Sequence, residues 1–178
     1  LSTAARQVLF SGGVTANDTD WLEFGYEADK FYYTSNTQTS SSTAVFRDFS
    51  AWHHVVVTYD GAYLKWYSNG TEVHSVAKTG NLGINGKWKH VLGECSVAAG
   101  VGRDFSGYMA DVQFIDGSTL SPTVFGEYDT NGVWQPKEVT EADLITAKES
   151  QQPYETRNNM DKDWSASGWE NTFDGDAS

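Results

Sequence analysis

Cysteine, proline and positive charge are all scarce in this chain, and each scarcity narrows what it can be. A single cysteine, Cys95, stands among 178 residues, so no internal disulfide staples the fold. Its setting, Lys89-His-Val-Leu-Gly-Glu-Cys95, reads as a strand with a small buried thiol. Three prolines against 17 glycines indicate tight turns rather than Pro-rich linkers. Twelve Lys/Arg face 24 Asp/Glu, a formal net charge of −12, and no basic cluster offsets the excess. Such a balance repels phosphate backbones and anionic lipid surfaces, which excludes nucleic acid and membrane as expected partners. Residues 139–178 carry nine acids and three bases, so half of the excess sits in the last forty positions, where it serves solubility. No apolar run approaches the roughly 18 residues of a membrane span, and no signal peptide is legible. The first residue is Leu1 rather than Met, as expected of a segment that opens inside a longer polypeptide.

Aromatic residues, by contrast, are abundant. Seven Trp, nine Tyr and nine Phe supply the flat, bulky side chains that fill the space between two packed sheets. From Arg6 to about Asp116 the chain reads as short strands separated by turn signals. Arg6–Phe10 ends in Ser-Gly-Gly, Trp21–Tyr26 alternates on a period of two, and Lys30–Thr34 precedes a Ser/Thr-rich stretch to Thr43 that reads as an exposed loop. Trp52–Tyr59 is apolar or aromatic on both faces, the pattern of a central strand covered on both sides. Asn69-Gly70, between Tyr63–Tyr67 and Thr71–Val76, is the strongest hairpin signal. Gly107–Asp116 has the period of a long strand. Further on, Ser121-Pro122 fits the cap and first position of a short helical turn, and Thr140-Glu-Ala-Asp143 has the form of a capping box ahead of a helix. The expected fold class is all-β, an antiparallel β-sandwich with a C-terminal extension.

Three segments resemble one family. Phe46–Gly61, with its Trp-His-His-Val strand, and the following Leu64-Lys-Trp-Tyr-Ser-Asn-Gly70 are similar to the laminin G-like branch of the concanavalin A-like jelly roll. Phe105-Ser-Gly-Tyr-Met-Ala-Asp-Val-Gln-Phe-Ile-Asp-Gly-Ser-Thr-Leu-Ser-Pro122 resembles the closing strand of that fold. Phe125-Gly-Glu-Tyr-Asp-Thr-Asn-Gly-Val-Trp-Gln-Pro-Lys137 looks like a tail that follows this sandwich in marine bacteriophage fibre and other virion proteins, and Trp164–Asp176 resembles the start of the next module there. The resemblance implies a sandwich over 1–138 lacking its N-terminal strand, a polar linker with a short helix over 139–163, and the opening of a further module over 164–178. A sandwich without that strand has an open sheet edge, filled from upstream or by another chain.

Glycosidase action needs two carboxylates about 5–5.5 Å apart for retention, and Glu141-Ala-Asp143 is followed by Thr146 rather than a third acid, in a segment that reads as helix. Asp111 and Asp116 fall on opposite faces of their strand pattern. No enzyme is expected. His53, His54, His74 and His90 form no zinc-spaced cluster, and His53 and His54 read as packed side chains with one hydrogen bond each. The resemblance implies a Ca²⁺ at the sheet rim, for which Asp18, Asp20, Asp104 and Asp129 are the candidate ligands; as loop acids, each also fits a solvated role. Carbohydrate would stack on exposed rings, with Tyr33, Tyr63, Trp88 and Tyr108 as candidates.

The expectation is therefore a bacteriophage virion structural module, of a tail fibre or receptor-facing appendage, that attaches through host-surface glycan or through other virion proteins, as a homo-oligomer with a trimer as the symmetric guess. A decoration protein making only protein–protein contacts is the alternative, and a polysaccharide-degrading enzyme the remote one. An exposed aromatic groove would favour sugar, an apolar patch assembly, and a carboxylate pair in a cleft the enzyme.

Overall fold

The structure is a computed structural model that describes residues 5–13, 21–35, 38–48, 50–78, 82, 89–96 and 102–151. Backbone contacts divide the chain into two compact units, Leu1–Lys137 and Glu138–Ser178. The described strands are β1 (Gln7–Gly12), β2 (Leu22–Glu27), β3 (Lys30–Ser35), β4 (Thr39–Ser41), β5 (Val55–Tyr59), β6 (Tyr63–Ser68), β7 (Thr71–Ala77), β8 (His90–Leu92), β9 (Gly126–Tyr128) and β10 (Trp134–Pro136). One sheet runs β4-β3-β2-β1-β8, a second runs β5-β6-β7, and β9-β10 form a hairpin of their own. Every strand pair within these sheets is antiparallel.

Alternation in the sequence determines which side chains meet between the sheets. Leu22 on β2 and Phe31 and Tyr33 on β3 point inward and meet Leu64 and Trp66 of β6, with Leu82 closing the cluster. Tyr33 and Trp66 lie with ring centroids 5.8 Å apart at 59°, and Phe31 sits 4.4 Å from both Tyr26 and Phe46. Each such ring, fully removed from water, contributes about 1.5–3 kcal/mol. At the rim, Ser40 and His74 Nε2 approach to 2.7 Å and Gln38 donates to the Ala77 carbonyl, tying β4 to β7.

The hairpins follow from left-handed turn residues. Asn69 and Gly70 have φ of 48° and 76°, the type I′ geometry that matches strand twist. The β2–β3 connection achieves the same with Ala28 and Asp29 at φ 50° and 63°, a turn whose sequence carries no Asn-Gly signal. Here a tertiary contact holds the backbone: the Asp29 carbonyl accepts from Phe46 N at 2.6 Å, while the Asp29 carboxylate accepts from the exposed Arg47.

The outer face of the five-stranded sheet is organised around one buried acid. Glu23 is wholly shielded from solvent. Its Oε1 accepts from Arg6 Nη1 and Arg103 Nη1, both at 3.0 Å, and from the Tyr32 hydroxyl at 3.4 Å; its Oε2 accepts from the Cys95 thiol at 3.0 Å. Arg6 also donates to Glu27 and lies 5.0 Å over the Tyr32 ring. Burial, followed by the Glu23 charge, pushes the Tyr32 hydroxyl well above its ordinary pKa. A buried carboxylate persists only with this many donors. Cys95 is a buried structural thiol, although of the Lys89–Cys95 strand only His90–Leu92 pairs.

Three expectations are corrected. The strand expected over Gly107–Asp116 is not formed: Asp111 takes φ 50°, the segment belongs to no sheet, and Tyr108, Val112 and Phe114 lie exposed. Its period of two is present, but a strand exists only through a neighbour's hydrogen bonds. The strand expected to be central, Trp52–Tyr59, reduces to β5, which pairs with β6 and among the described residues has no strand on its other side. Its residues are accordingly only half-buried, and Trp52 is exposed. Within the expected Ser/Thr loop, Thr39–Ser41 form the edge strand β4.

In the second unit, α1 (Glu141–Gln151) begins with the reciprocal bonds of a capping box: Thr140 N donates to Asp143 Oδ2 at 3.0 Å and Asp143 N to Thr140 Oγ1 at 3.2 Å. The expected module opening at 164–178 lies outside the described residues.

Replacing Glu23 with Gln leaves two guanidinium groups without their shared counter-charge. We expect a loss of about 2–4 kcal/mol in urea denaturation, whereas Arg47→Ala, at the exposed pair with Asp29, changes stability by less than about 0.5 kcal/mol. Equal effects from the two substitutions would contradict this account of the outer face.

Candidate functional site

Four exposed apolar side chains, Tyr108, Met109, Val112 and Phe114, fall close together on the segment between β8 and the 3-10 turn at Pro122–Val124, whereas Trp52, Tyr128 and Val133 are exposed elsewhere. Its start is fixed to the five-stranded sheet: Arg103 reaches Glu23, Val8 N donates to the Arg103 carbonyl at 2.9 Å, and Phe105 N donates to the Gly93 carbonyl at 2.8 Å. Its end is fixed to the three-stranded sheet, where Thr119 Oγ1 donates to the Tyr59 carbonyl at 2.7 Å and Leu120 is buried. Between these anchors the chain bridges the sheets. Phe114 stacks on Phe10 of β1 at 6.3 Å, and Phe10 in turn stacks on Phe24 and approaches His90. Tyr108 is 87% exposed, and Val112 and Phe114, with Leu92 on the neighbouring edge strand β8, are each just over half exposed. Met109 is also exposed. The result is an exposed, largely apolar strip whose own charged residues are Asp111 and Asp116.

The candidate carbohydrate residues separate. Tyr33 is corrected: it lies in the core against Trp66 with no exposure, so neither ring face is open to a sugar. Tyr63, 49% exposed at the start of β6, and Tyr108 on the strip have accessible rings. Trp88 lies outside the described residues. The alternation that marks Val112 and Phe114 reads equally as a buried strand, which is why sequence reasoning did not select them.

The candidate calcium ligands are not assembled by what is described. Asp18 and Asp20 lie outside the described residues. Asp104 forms a backbone bridge with Val8 and turns its side chain to solvent. Asp129 Oδ1 accepts from Asn131 N at 2.8 Å and Val133 N at 2.9 Å, closing the β9–β10 turn itself. Among the described residues no three His, Cys, Asp or Glu side chains gather as a metal ion requires.

Two histidines carry one hydrogen bond each, as read. His53 Nε2 meets the Asp48 carbonyl at 3.3 Å. His54 Nδ1 accepts from Trp134 Nε1 at 2.9 Å, a contact between β5's approach and the β9–β10 hairpin that sequence gave no sign of. Burial lowers the pKa of His54 and of His74, so both are neutral above the ordinary histidine value.

The sequence profile of the concanavalin A-like lectin/glucanases superfamily, in its laminin G-type form, matches residues 2–124. The chain belongs to this superfamily. Its match takes in β1 to β8 and the bridging strip and stops within the 3-10 turn, ahead of the β9–β10 hairpin. No curated protein matches the chain. Concanavalin A-like domains of the laminin G type are carbohydrate- or protein-binding modules, and the accessible chemistry here, aromatic and aliphatic, suits either.

Asp129 separates a turn-closing role from a metal-binding one. Asn retains the accepting Oδ1, so Asp129→Asn keeps its stability with or without calcium, while Asp129→Ala loses about 1 kcal/mol. Thermal unfolding with calcium and with chelator reads both; a calcium-dependent stabilisation that Asp129→Asn abolishes would assign the residue to a metal instead.

Proposed function

We propose that this chain is a non-enzymatic attachment module of a bacteriophage virion, carried on a tail fibre or other receptor-facing appendage, and that it engages its partners through the Tyr108–Phe114 strip. The exposure of that strip carries the reading. A soluble domain rarely leaves Tyr108, Met109, Val112 and Phe114 open together next to an exposed Leu92 unless another surface covers them. Aromatic and Met side chains are enriched at protein interfaces, and charged ones depleted, which matches this composition. The partners are other virion proteins, including further copies of this chain in a symmetric homo-oligomer, for which a trimer is the simplest fibre arrangement. The virion context is supported by the likeness of Phe125–Lys137 to the tail that follows such sandwiches in phage fibre proteins.

Glycan binding at the host surface is the second reading, favoured by the open phenol rings of Tyr63 and Tyr108, to which the half-exposed Tyr128 adds a third. The non-enzymatic reading is supported by the state of the acids: Glu23 is saturated by arginine, tyrosine and thiol donors, and Asp111 and Asp116 are exposed. Neither provides the enclosed carboxylate pair that glycoside cleavage uses.

Val112→Asp places a charge in the strip at an exposed position and spares the fold. We expect unchanged circular dichroism and melting, with self-association in sedimentation and binding to host cells weakened at least tenfold, about 1.4 kcal/mol. Tyr108→Ser tests the second reading on a glycan array. Loss of sugar binding there, with association intact, would favour the lectin; unaltered association and cell binding in Val112→Asp would remove the strip from consideration.

A further inference from the structure

Trp134 is the inward anchor of the β9–β10 hairpin. It is 9% exposed, and its ring lies 5.8 Å from that of His54 at 26° while the Tyr128 ring meets it edge-on at 4.9 Å. The fit on the sandwich is close. A Cβ on Gly70 would come within 2.3 Å of the Trp134 ring, and one on Gly126 within 2.6 Å, so glycine is required at both places. Around this ring the polar contacts are few: Tyr128 OH donates to the Asn69 carbonyl and lies near Thr71 Oγ1, both at 3.3 Å. The shortest polar link is Trp134 Nε1 to His54 Nδ1, at 2.9 Å.

Indole nitrogen only donates, so His54 Nδ1 must be unprotonated, with the ring proton on Nε2. An imidazolium carries a proton on both nitrogens and would set N–H against N–H across 2.9 Å. The backbone of His54 is fixed independently, through His54 N to Asn69 Oδ1 and Asn69 N to the His54 carbonyl, both at 2.9 Å. The ring is therefore not at liberty to follow Trp134 elsewhere. Asn69, Gly70 and Thr71 of the β6–β7 turn are uncharged, the Tyr128 phenol is the titratable group that the hairpin brings to this contact, and His53 is directed to Asp48. Among the described residues no carboxylate forms an ion pair with His54.

We propose that the β9–β10 hairpin is a pH-operated latch, closed on the sandwich by Trp134 while His54 is neutral and released when His54 takes a proton. Burial lowers the His54 pKa in the closed form, which sets the sign: the open form binds the proton more readily. Closure is at full strength above the ordinary histidine pKa of about 6.5 and weakens as pH falls below it, by at most tenfold per pH unit. Acidification thus uncovers a tryptophan and the Asn69-Gly70 turn beneath it, a surface separate from the Tyr108–Phe114 strip.

The test follows the Trp134 indole proton and the β9–β10 amides of the full chain by NMR, as protection factors at pH 7.5 and pH 4.5. Protection should fall at least tenfold at the lower pH while the β2–β3 amides keep theirs. His54→Asn preserves an acceptor that does not titrate, so its hairpin protection should no longer depend on pH, and Trp134→Phe, which removes the donor, should lower hairpin protection at pH 7.5. Protection of Trp134 that is equal at both pH values, a fall that persists in His54→Asn, or hairpin protection unchanged at pH 7.5 in Trp134→Phe would overturn the latch.

Discussion

A carboxylate with no access to water must be surrounded by donors, and the need to satisfy Glu23 shapes the outer half of this molecule. Arg6 approaches from ahead of β1, Tyr32 from β3, and Cys95 and Arg103 from the chain beyond β8. These groups are far apart in sequence, and the acid gathers them at one point. Removing a charge from water costs several kcal/mol, and the paired hydrogen bonds offset it only when all are made together. Through Arg103 the same constraint sets where the bridging segment leaves the sheet. The exposed strip is thus located by a buried ionic contact on the other face of the sheet from the aromatic core.

Among the described residues the two sheets differ in width, five strands against three, and the strip lies where the wider sheet extends beyond the narrower. The inner faces of β3 and β4 are covered by β6 and β7. Beneath β1, the ring of Phe10 is met by Phe114, a side chain from a segment without sheet bonds. Aromatic stacking there substitutes for part of what a paired strand would supply, covering one ring while leaving the backbone and alternate side chains of the segment outside. Fold and binding surface are in this sense the same feature, a place where the core is closed by side chains alone.

Much of the fold was legible because it depends on local pattern. The period-two runs at Trp21–Tyr26 and Lys30–Thr34, the Asn69-Gly70 turn and the Thr140–Asp143 cap each follow from residues close together in sequence, and each is formed. What was not legible depends on partners. The alternation of Gly107–Asp116 states which side chains would share a face but not whether a neighbouring strand is there to hold it, and the burial expected of Trp52–Tyr59 presumed two neighbours where the described residues supply one. The Ala28-Asp29 turn was hidden because its left-handed backbone is held by the Phe46 amide from elsewhere in the chain. The site was legible in still smaller part: Tyr63 and Tyr108 are open, Tyr33 is not, and the link between His54 and Trp134 joins residues 80 positions apart with no shared motif.

The anchoring of the strip at Phe105 and at Thr119 has a consequence for recognition. A free tail offered to a partner can slide, and because successive side chains of an extended chain point to opposite sides, a slip of one residue exchanges everything the partner meets. A segment held at both ends cannot slide by that amount without breaking the bonds to the Gly93 and Tyr59 carbonyls. Its phase is therefore set before any encounter, and the order in which Tyr108, Val112 and Phe114 are presented belongs to the sandwich rather than to whatever lies against it.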